Sequence, residues 1–356
     1  MAERRAIGDF GAKLVNNSAP LIFVLTSIAW REAWKYGDRA YRYCLHDIGH
    51  AWQALALAAR SLGSESFAIG HFGDDRVAES CLLSADEWPM LIVGFHGASI
   101  PVNNRNADET VVFGGQPNRL SEEQRTYPLI ELIHTATKLS TESTIPSLGE
   151  PKVSGRGEVS LSPPVSTNHG FGDVVRTRRS ALDFKGGRES ISFPQLATLL
   201  STTRERLFAD FATHRYVHLY LYVHRVEGLE PGVYRFWPEH AELERIKAGD
   251  QRLVAAALSL GQDLAGNACV AFSMIGDFEG AASRYGDRGY RYVHFEAGAI
   301  GQRMYLAAEA LGLGATGIGA FFDEEVNRYL GLSSELGQVV YHFAIGYPVA
   351  DPRLEA

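Results

Sequence analysis

The chain has 356 residues, of which 46% are hydrophobic, as is typical of a globular protein of about two domains. Its net charge of −8 comes without long runs of either sign, which argues against nucleic-acid binding because that function needs a clustered basic face. The three cysteines form no C-x-x-C pair, the N-terminus lacks a signal-peptide core, and the apolar run 20–29 is too short to span a bilayer. The sequence therefore predicts a cytoplasmic protein without a membrane partner.

In chain order, the first part of the sequence predicts strands around one long helix. Branched and aromatic residues favour the strands, and Gly63 ends the helix in the C′ position. A polar loop over 99–118 follows, and Ser121-Glu-Glu-Gln124 has the pattern of a capping box that begins a helix over 121–139. The predicted strands are 21–26, 67–69 and 90–95, and the long helix is 40–62.

The second part begins with a connector over 140–173, which is rich in Ser, Pro, Gly and Thr and lacks an apolar period. Ser192 is the predicted N-cap of the next helix, and Asp323 and Gly331 are predicted to begin and end a short one. Because strands and helices do not alternate regularly, the fold class is predicted to be α+β. The remaining predicted strands are 217–226, 233–236, 269–274 and 339–345, and the remaining helices are 250–264 and 290–311.

One stretch of the sequence is written twice. Tyr36-Gly-Asp-Arg-Ala-Tyr-Arg-Tyr43 returns as Tyr285-Gly-Asp-Arg-Gly-Tyr-Arg-Tyr292, and 285 − 36 gives an offset of 249. The same offset carries Ile69-Gly70 onto Ile318-Gly319. Because the same offset holds through a turn, a helix and the end of a strand, the sequence predicts two copies of one structural unit. Two copies on one chain can face each other like subunits of a symmetric dimer.

Two local motifs carry no predicted site because their context is wrong. Gly312-Leu-Gly-Ala-Thr-Gly317 spells G-x-G-x-x-G, but a dinucleotide fingerprint follows a strand and opens a helix, whereas here a helix precedes the motif. His46 and His50 have a spacing that suits a metal, yet no third ligand follows at recognisable spacing. No metal site is predicted.

The segment Arg176-Thr-Arg-Arg-Ser180 offers several guanidiniums and a hydroxyl close together. Such a donor set suits a phosphate group, because arginine presents a fork of hydrogen-bond donors. The alternative is a solvated basic patch on the surface.

An ordered set of motifs resembles the SagB-type dehydrogenases, which belong to the FMN-dependent nitroreductase superfamily. The resemblance covers nearly all of the second half and, in the first half, residues 20–94. It implies a nitroreductase-like α+β fold that works as a dimer with FMN in the interface. Here a truncated unit over 1–118 and an FMN-binding unit over 174–356, joined by 119–173, would form an intramolecular pseudo-dimer, and whole chains could pair further. The motifs are Arg178-Arg-Ser180, 226–234, 285–292, Glu296-Ala-Gly298, Gln302, 306–314 and Ile318-Gly-Ala-Phe321.

The resemblance also implies cofactor-binding residues. Arg178 and Ser180 fall where the family binds the FMN phosphate and ribityl chain, and Arg179 would assist. Gly319 and Ala320 fall in the loop whose main-chain amides approach the N5 and O4 edge of the flavin. Arg353, near the C-terminus, is a weaker phosphate candidate.

Azoline-oxidising members of the family carry a Lys-Tyr pair at the head of the Tyr-Gly-Asp-Arg motif, proposed to move the substrate proton. The first copy keeps it as Lys35-Tyr36, whereas Tyr285 in the second copy follows Arg284. Because arginine is too basic to act as a general base, Lys35 and Tyr36 are better catalytic candidates than Tyr285. The alternative is that the tyrosines, with Arg39 and Arg288, are structural ties at a helix start.

Some positions depart from the family pattern. Leu182 stands where the family's Arg-Arg-Ser-x-Arg motif has its last arginine, and no Pro-Ser-x-Gly loop is visible between Thr202 and Tyr220. The first unit has no Arg-Arg-Ser equivalent, so at most one full FMN site per chain is expected.

The implied function is that of an FMN-dependent oxidoreductase. The favoured reaction is a dehydrogenation that passes hydride from a peptide azoline or a small-molecule substrate to flavin N5. One alternative is an NAD(P)H-dependent nitro or quinone reductase. Another is a flavin-poor scaffold subunit of a peptide-modifying complex.

Overall fold

The computed structural model describes residues 21–97, 123–140, 155–333 and 337–352. They form two compact units. Unit 1 takes in the described residues up to 140 together with 207–213 and 284–295, and unit 2 takes in the rest. Two segments from the second half of the sequence therefore belong to the first unit. Among these described ranges, no helix has the length and apolarity needed to cross a membrane.

The described part of unit 1 is built on an antiparallel sheet with strand order β1-β3-β2, in which β1 is Leu21–Ser27, β2 is Ser64–Ile69 and β3 is Trp88–Gly97. The middle strand β3 supplies a run of fully buried apolar side chains from Met90 to Val93. The helices of this unit are α1 (Trp30–Tyr36), α2 (Ala40–Ser61), α3 (Asp74–Ser80) and α4 (Pro128–Ala136).

Unit 2 is built on a larger antiparallel sheet, which has strand order β11-β12-β10-β6-β8-β9-β4 in the described residues. Its strands are β4 (Val159–Ser160), β6 (Val217–Val223), β8 (Gly232–Trp237), β9 (Glu242–Ala248), β10 (Val270–Gly276), β11 (Gly314–Ile318) and β12 (Gln338–Gly346), and β5 (Ile191–Ser192) pairs separately with β7 (Val226–Glu227). The remaining helices are α5 (Phe171–Thr177), α6 (Phe193–Arg204), α7 (Arg252–Leu258), α8 (Asp263–Asn267), α9 (Phe278–Tyr285), α10 (Gly289–Ala310) and α11 (Asp323–Leu330). The end of α9 and the start of α10, within residues 284–295, belong to unit 1. The α+β prediction is confirmed.

The duplicated sequence folds in duplicate. The bounds of β1 and β10, of α2 and α10, and of the 3-10 turns that precede these helices all differ by 249. Each copy carries a register shift at the matching place, after Leu25 in β1 and after Met274 in β10. Tyr36 meets Tyr43 edge to face at 4.8 Å and 87°, and their counterparts Tyr285 and Tyr292 meet at 4.9 Å and 87°. The predicted repeat is therefore one structural unit present twice.

A buried ion cluster joins three segments of unit 1. Arg288 and Arg291 both bind the Asp74 carboxylate, at 2.7 and 2.8 Å, and all three side chains are at most 1% exposed. Arg288 also donates to the main-chain carbonyl of Gly70 at 2.8 Å and to that of Thr137 at 3.1 Å. Burial opposes ionisation of Asp74, but the attraction of the two guanidiniums outweighs this effect and lowers the pKa of Asp74 below the usual range. Arg288 is thus a structural tie.

Several predicted helix boundaries are wrong. Helix α4 begins at Pro128, because proline suits the first helical position and restricts the residue before it; Ser121 and the loop 99–118 lie outside the described residues. The predicted helix over 250–264 is α7 and α8, separated where Leu260 and Gly261 adopt φ of 58° and 71°. Asp323 lies in the first turn of α11, and the residue in the N-cap position is Phe322.

Other local predictions are confirmed. Ser192 and Gln195 form a complete capping box at the start of α6. Gly331 ends α11 in the left-handed conformation, with φ of 70°. Helix α10 precedes the G-x-G-x-x-G motif and strand β11 follows Leu313, so the context required of a dinucleotide fingerprint is missing.

Candidate functional site

The arginine segment lies along the edge of the sheet in unit 2. Helix α5 ends at Thr177, and the chain then runs extended beside the edge strand β11. Ser180 pairs with Ala315 in a parallel bridge, and the Ala181 amide donates to the Ala315 carbonyl at 2.9 Å. Arg178 is half-buried, whereas Arg179 and Ser180 are exposed. The sheet edge thus fixes the backbone that carries these side chains.

Tyr305 on α10 brings the segment and the strand together. Its hydroxyl lies 2.9 Å from Ser180 Oγ and accepts a hydrogen bond from the Gly317 amide at 2.8 Å. The Arg178 guanidinium stacks over its ring, 4.9 Å from the centroid. Because the Gly317 amide supplies one hydrogen, the phenol can donate to Ser180 and leave the serine hydroxyl hydrogen for a further acceptor.

Sequence reasoning missed Tyr305. A usable signal was the comparison of the two copies, because Leu57-Ala-Ala59 matches Leu306-Ala-Ala308 but Tyr305 stands opposite Ala56. A large hydroxyl-bearing side chain on only one of two otherwise similar helices indicates a role specific to that copy.

The other phosphate candidates differ in what they offer. Arg179 turns Nη1 back onto the main-chain carbonyls of Arg176 and Arg178, at 2.9 and 2.8 Å. Leu182 is 45% exposed and offers no donor in the place of the family's arginine. Arg353 lies outside the described residues. Of the phosphate candidates in this segment, Arg178 and Ser180 therefore keep the side-chain donors best suited to an anion, and their assignment stays a prediction.

The Gly319–Ala320 turn directly follows β11 and is fixed by a hydrogen bond to its main chain and by a ring contact of the next residue. Gln262 Nε2 donates to the Ala320 carbonyl at 3.3 Å, and the next ring, Phe321, stacks on His342 at 4.5 Å. His342 is buried between two serine hydroxyls, Ser259 at 3.0 Å and Ser273 at 2.9 Å. Gly319 follows Ala315 by four positions, which corresponds to about 13 Å between their Cα atoms along an extended strand. One sheet edge thus carries both predicted parts of the cofactor site.

The catalytic candidates Lys35 and Tyr36 are exposed residues at the end of α1 in unit 1. Lys35 Nζ lies 4.9 Å from the centroid of the Tyr36 ring. Hydrogen bonding to Tyr36 raises the pKa of Lys35, so the amine is protonated at neutral pH. In this pair, Lys35 is a cation and a hydrogen-bond donor.

Tyr285, the third catalytic candidate, is 5% exposed and also lies in unit 1. Its hydroxyl donates to the main-chain carbonyl of Phe211 at 3.0 Å. The structure thus groups Lys35 with Tyr36, and separately Arg178, Ser180 and the edge strand β11. It gives the Tyr285 hydroxyl a structural contact.

A cavity of about 990 Å³ lies within unit 1 and is lined by Trp30, Trp88 and His134, among others. Trp88 and His134 stack at 3.8 Å across its wall. None of the predicted site residues lines this cavity. Within the described ranges, no group of three or more His, Cys, Asp or Glu residues is arranged to hold a metal ion.

Comparison with known proteins gives consistent results. The nitroreductase family model matches residues 4–97 and 175–347. A Methanocaldococcus jannaschii protein named as a nitroreductase is 37% identical over 166 residues, which are 44% of this chain and 82% of that protein. The trifolitoxin operon protein TfxC of Rhizobium leguminosarum bv. trifolii is 28% identical over 172 residues, 47% of this chain and 44% of that protein.

Among solved structures, the crystal structure of a protein from Anabaena variabilis, also named as a nitroreductase, matches with a TM-score of 0.78 and 27% identity. The match covers 96% of this chain and 73% of that one. Together with the two separate family matches, this similarity confirms the prediction of a nitroreductase fold in two units.

Proposed function

Because the chain belongs to the nitroreductase family, we propose that it is an FMN-dependent oxidoreductase whose unit 2 holds the cofactor. The observation that carries this proposal is the cluster of Arg178, Ser180 and Tyr305 beside β11. A guanidinium fork held on an aromatic face, next to a hydroxyl with a hydrogen to donate, is a donor set that fits a phosphate. The residues present therefore fit FMN.

In this proposal, Arg178 and Ser180 would hold the phosphate, and the main-chain amides of Gly319 and Ala320 would donate to the flavin ring. Bound FMN would supply reversible hydride chemistry. The amides are fixed dipoles, so they would stabilise negative charge without reorganising. The Gln262 bond to Ala320 keeps the turn in place for that purpose.

We further propose that the reaction is a dehydrogenation, in line with the resemblance to SagB-type dehydrogenases. In this step the Tyr36 phenolate would accept the substrate proton and become a neutral phenol, and the protonated Lys35 would stabilise the phenolate beforehand by donating a hydrogen bond to it. Similarity to a trifolitoxin operon protein supports a biosynthetic substrate, either a modified peptide with an azoline ring or a small molecule. The reductive alternative would use NAD(P)H to reduce a nitro or quinone group.

One set of observations favours a different class of function, a flavin-poor scaffold subunit. Leu182 replaces a donor of the family motif, and one guanidinium nitrogen of Arg179 already donates to nearby main-chain carbonyls. Both features weaken the phosphate site relative to the family pattern. Colour separates the two classes: the oxidoreductase should purify yellow and release FMN on denaturation, and the scaffold should stay colourless even with added FMN.

The phosphate assignment is tested by substitution. Arg178→Ala and Ser180→Ala should each weaken FMN binding, Arg178→Ala by about tenfold or more, because charge-assisted bonds to phosphate are lost. Flavin fluorescence titration measures the dissociation constants. Arg179→Ala, which removes a neighbouring guanidinium already bound to main-chain carbonyls, is the matched control and should have a smaller effect. Equal retention of FMN in all three variants would refute the assignment.

A second measurement fixes the direction of the reaction. Under anaerobic conditions, NAD(P)H should bleach the flavin of a reductase rapidly. A dehydrogenase of the proposed kind should keep its colour with NAD(P)H and lose it only with an oxidisable substrate.

A further inference from the structure

The Gly70–His71 turn of unit 1 is the counterpart of the proposed flavin-facing turn of unit 2. The offset of the repeat carries Gly70 onto Gly319 and His71 onto Ala320, since 319 − 70 is 249. Both turns directly follow the matching edge strands, β2 and β11. In unit 1, a segment from the second half of the chain, residues 207–213, lies against this turn.

A single carboxylate binds both amides of this turn. The Gly70 amide donates to Asp210 Oδ1 at 2.9 Å, and the His71 amide donates to Asp210 Oδ2 at 3.1 Å. Burial raises the pKa of Asp210 to about 6, even though both amide bonds favour the ionised form. The two amides thus bind two neighbouring acceptor atoms, and they hold the Asp210 carboxylate there although its burial opposes ionisation.

A flat ring lies against the same turn. Phe211 is 2% exposed and stacks on Tyr292, with centroids 4.3 Å apart and ring planes 10° apart. A Cβ atom at Gly70 would come within 2.6 Å of both the Phe211 and Tyr292 rings. The ring can therefore lie here only because residue 70 is glycine.

The main chain fixes this segment to the sheet edge. The Ala68 amide donates to the Phe208 carbonyl at 2.9 Å, and the Asp210 amide donates to the Ala68 carbonyl at 3.1 Å. Ala209 thereby forms a parallel bridge to Ala68 of β2. Ser180 makes the same kind of bridge on β11 in unit 2. Each edge strand is thus lined by one short parallel segment.

We propose that Asp210 and Phe211 are a built-in occupant of a second, degenerate site for a planar heteroaromatic ring with neighbouring hydrogen-bond acceptors, such as an isoalloxazine. The Asp210 oxygens take the place of the acceptor edge, and the Phe211 ring takes the place of the ring system. This inference rests on the proposed function of the matching turn in unit 2. It means that unit 1 takes no flavin while residues 207–213 stay in place.

The experiment removes the two side chains that lie against the turn and then adds lumiflavin, a flavin ring that has no phosphate. The double variant Asp210→Ala/Phe211→Ala and the wild-type chain are saturated with FMN and then dialysed against lumiflavin. The wild type should take up no further ring, and the double variant should take up about one equivalent of lumiflavin. Phe208→Ala, which removes an exposed phenyl ring from the same segment, is the control and should behave as the wild type.

The outcomes separate this inference from the proposed function. A double variant that is folded, as judged by circular dichroism, and takes up no lumiflavin overturns the inference, whatever FMN does in unit 2. Failure of the wild type to bind FMN overturns the proposed function, and the difference in lumiflavin uptake between the double variant and the wild type still decides the inference. If the double variant does not fold, Asp210→Asn decides: hydrogen exchange at Gly70 and His71 should accelerate about tenfold, and unchanged exchange would contradict the inference.

Discussion

Tyr305 shows how one residue can organise a site without belonging to the motif that identifies it. Its hydroxyl joins Ser180 to Gly317, and its ring supports Arg178. Arg178 and Ser180 could be proposed as phosphate-binding residues from sequence because a guanidinium and a hydroxyl are typical donors to phosphate. Tyr305 could not, because its role depends on which side chains pack around it 125 residues away along the chain.

Tyr305→Phe should therefore weaken binding of FMN more than binding of riboflavin, which has no phosphate. Loss of a hydrogen bond of about 1 kcal/mol would lower FMN affinity about fivefold. Fluorescence titration with both flavins measures the change. Tyr329→Phe removes the hydroxyl of a half-buried tyrosine in unit 2, which is bonded to Gln251, and serves as the control. Equal losses for FMN and riboflavin would assign Tyr305 a general packing role instead.

Glu296 on α10 is a second residue whose behaviour follows from its surroundings. It is 6% exposed and accepts hydrogen bonds from the amides of Tyr216 and Val217, at 2.9 and 3.3 Å. Burial raises its pKa from 4.5 to about 7 in the folded chain. Protonation therefore favours the folded state, and this contribution is complete below pH 4.5.

The free energy of unfolding should fall by about 3 kcal/mol from this group as pH rises from 4.5 to about 7. Other groups titrate in the same range, so the test is the difference between the wild type and Glu296→Gln in denaturant unfolding at several pH values. That difference should change with pH in the stated direction. The same substitution at Glu309, on the same helix but partly exposed, is the control. A difference that is constant between pH 4 and 8 would contradict the assignment.

At the scale of elements, the long helices and the repeated strands follow from the sequence, because apolar periodicity and one shared register specify them. Short elements and their ends do not. Helices α1 and α9 are only 7 and 8 residues long and adjoin the repeated motif, so periodicity alone does not reveal them. Pro128 and Leu260 set boundaries through the backbone conformations they adopt.

Leu260 gives a test of that last point. It has φ of 58°, a left-handed conformation that costs a leucine roughly 1 kcal/mol, and its side chain is 45% exposed. Leu260→Gly should therefore raise the free energy of unfolding by roughly 0.5–1 kcal/mol. Ala257→Gly, at an exposed position within α7, should lower it by about 1 kcal/mol. Chemical denaturation measures both changes, and a destabilised Leu260→Gly chain would show that its side-chain contacts outweigh the backbone strain.

At the scale of the whole molecule, the chain carries one structural motif twice, with different side chains beside the two matching edge strands. In unit 2 the segment beside the edge strand β11 carries Arg178 and Ser180, which adjoin Tyr305 of α10, and in unit 1 the segment beside the edge strand β2 carries Asp210 and Phe211. The sequence predicted the duplication and the loss of a phosphate motif from the first copy. It did not predict what fills the first copy, because Asp210 and Gly70 lie 140 residues apart along the chain.

The buried cluster of Arg288, Arg291 and Asp74 has a consequence for how the chain can be divided. Asp74 comes from the first half of the sequence and both guanidiniums come from the second. Separating the two halves would deprive the Asp74 carboxylate of both guanidiniums and deprive the two guanidiniums of their shared carboxylate. The cluster can therefore be completed only while both halves of the sequence are present together.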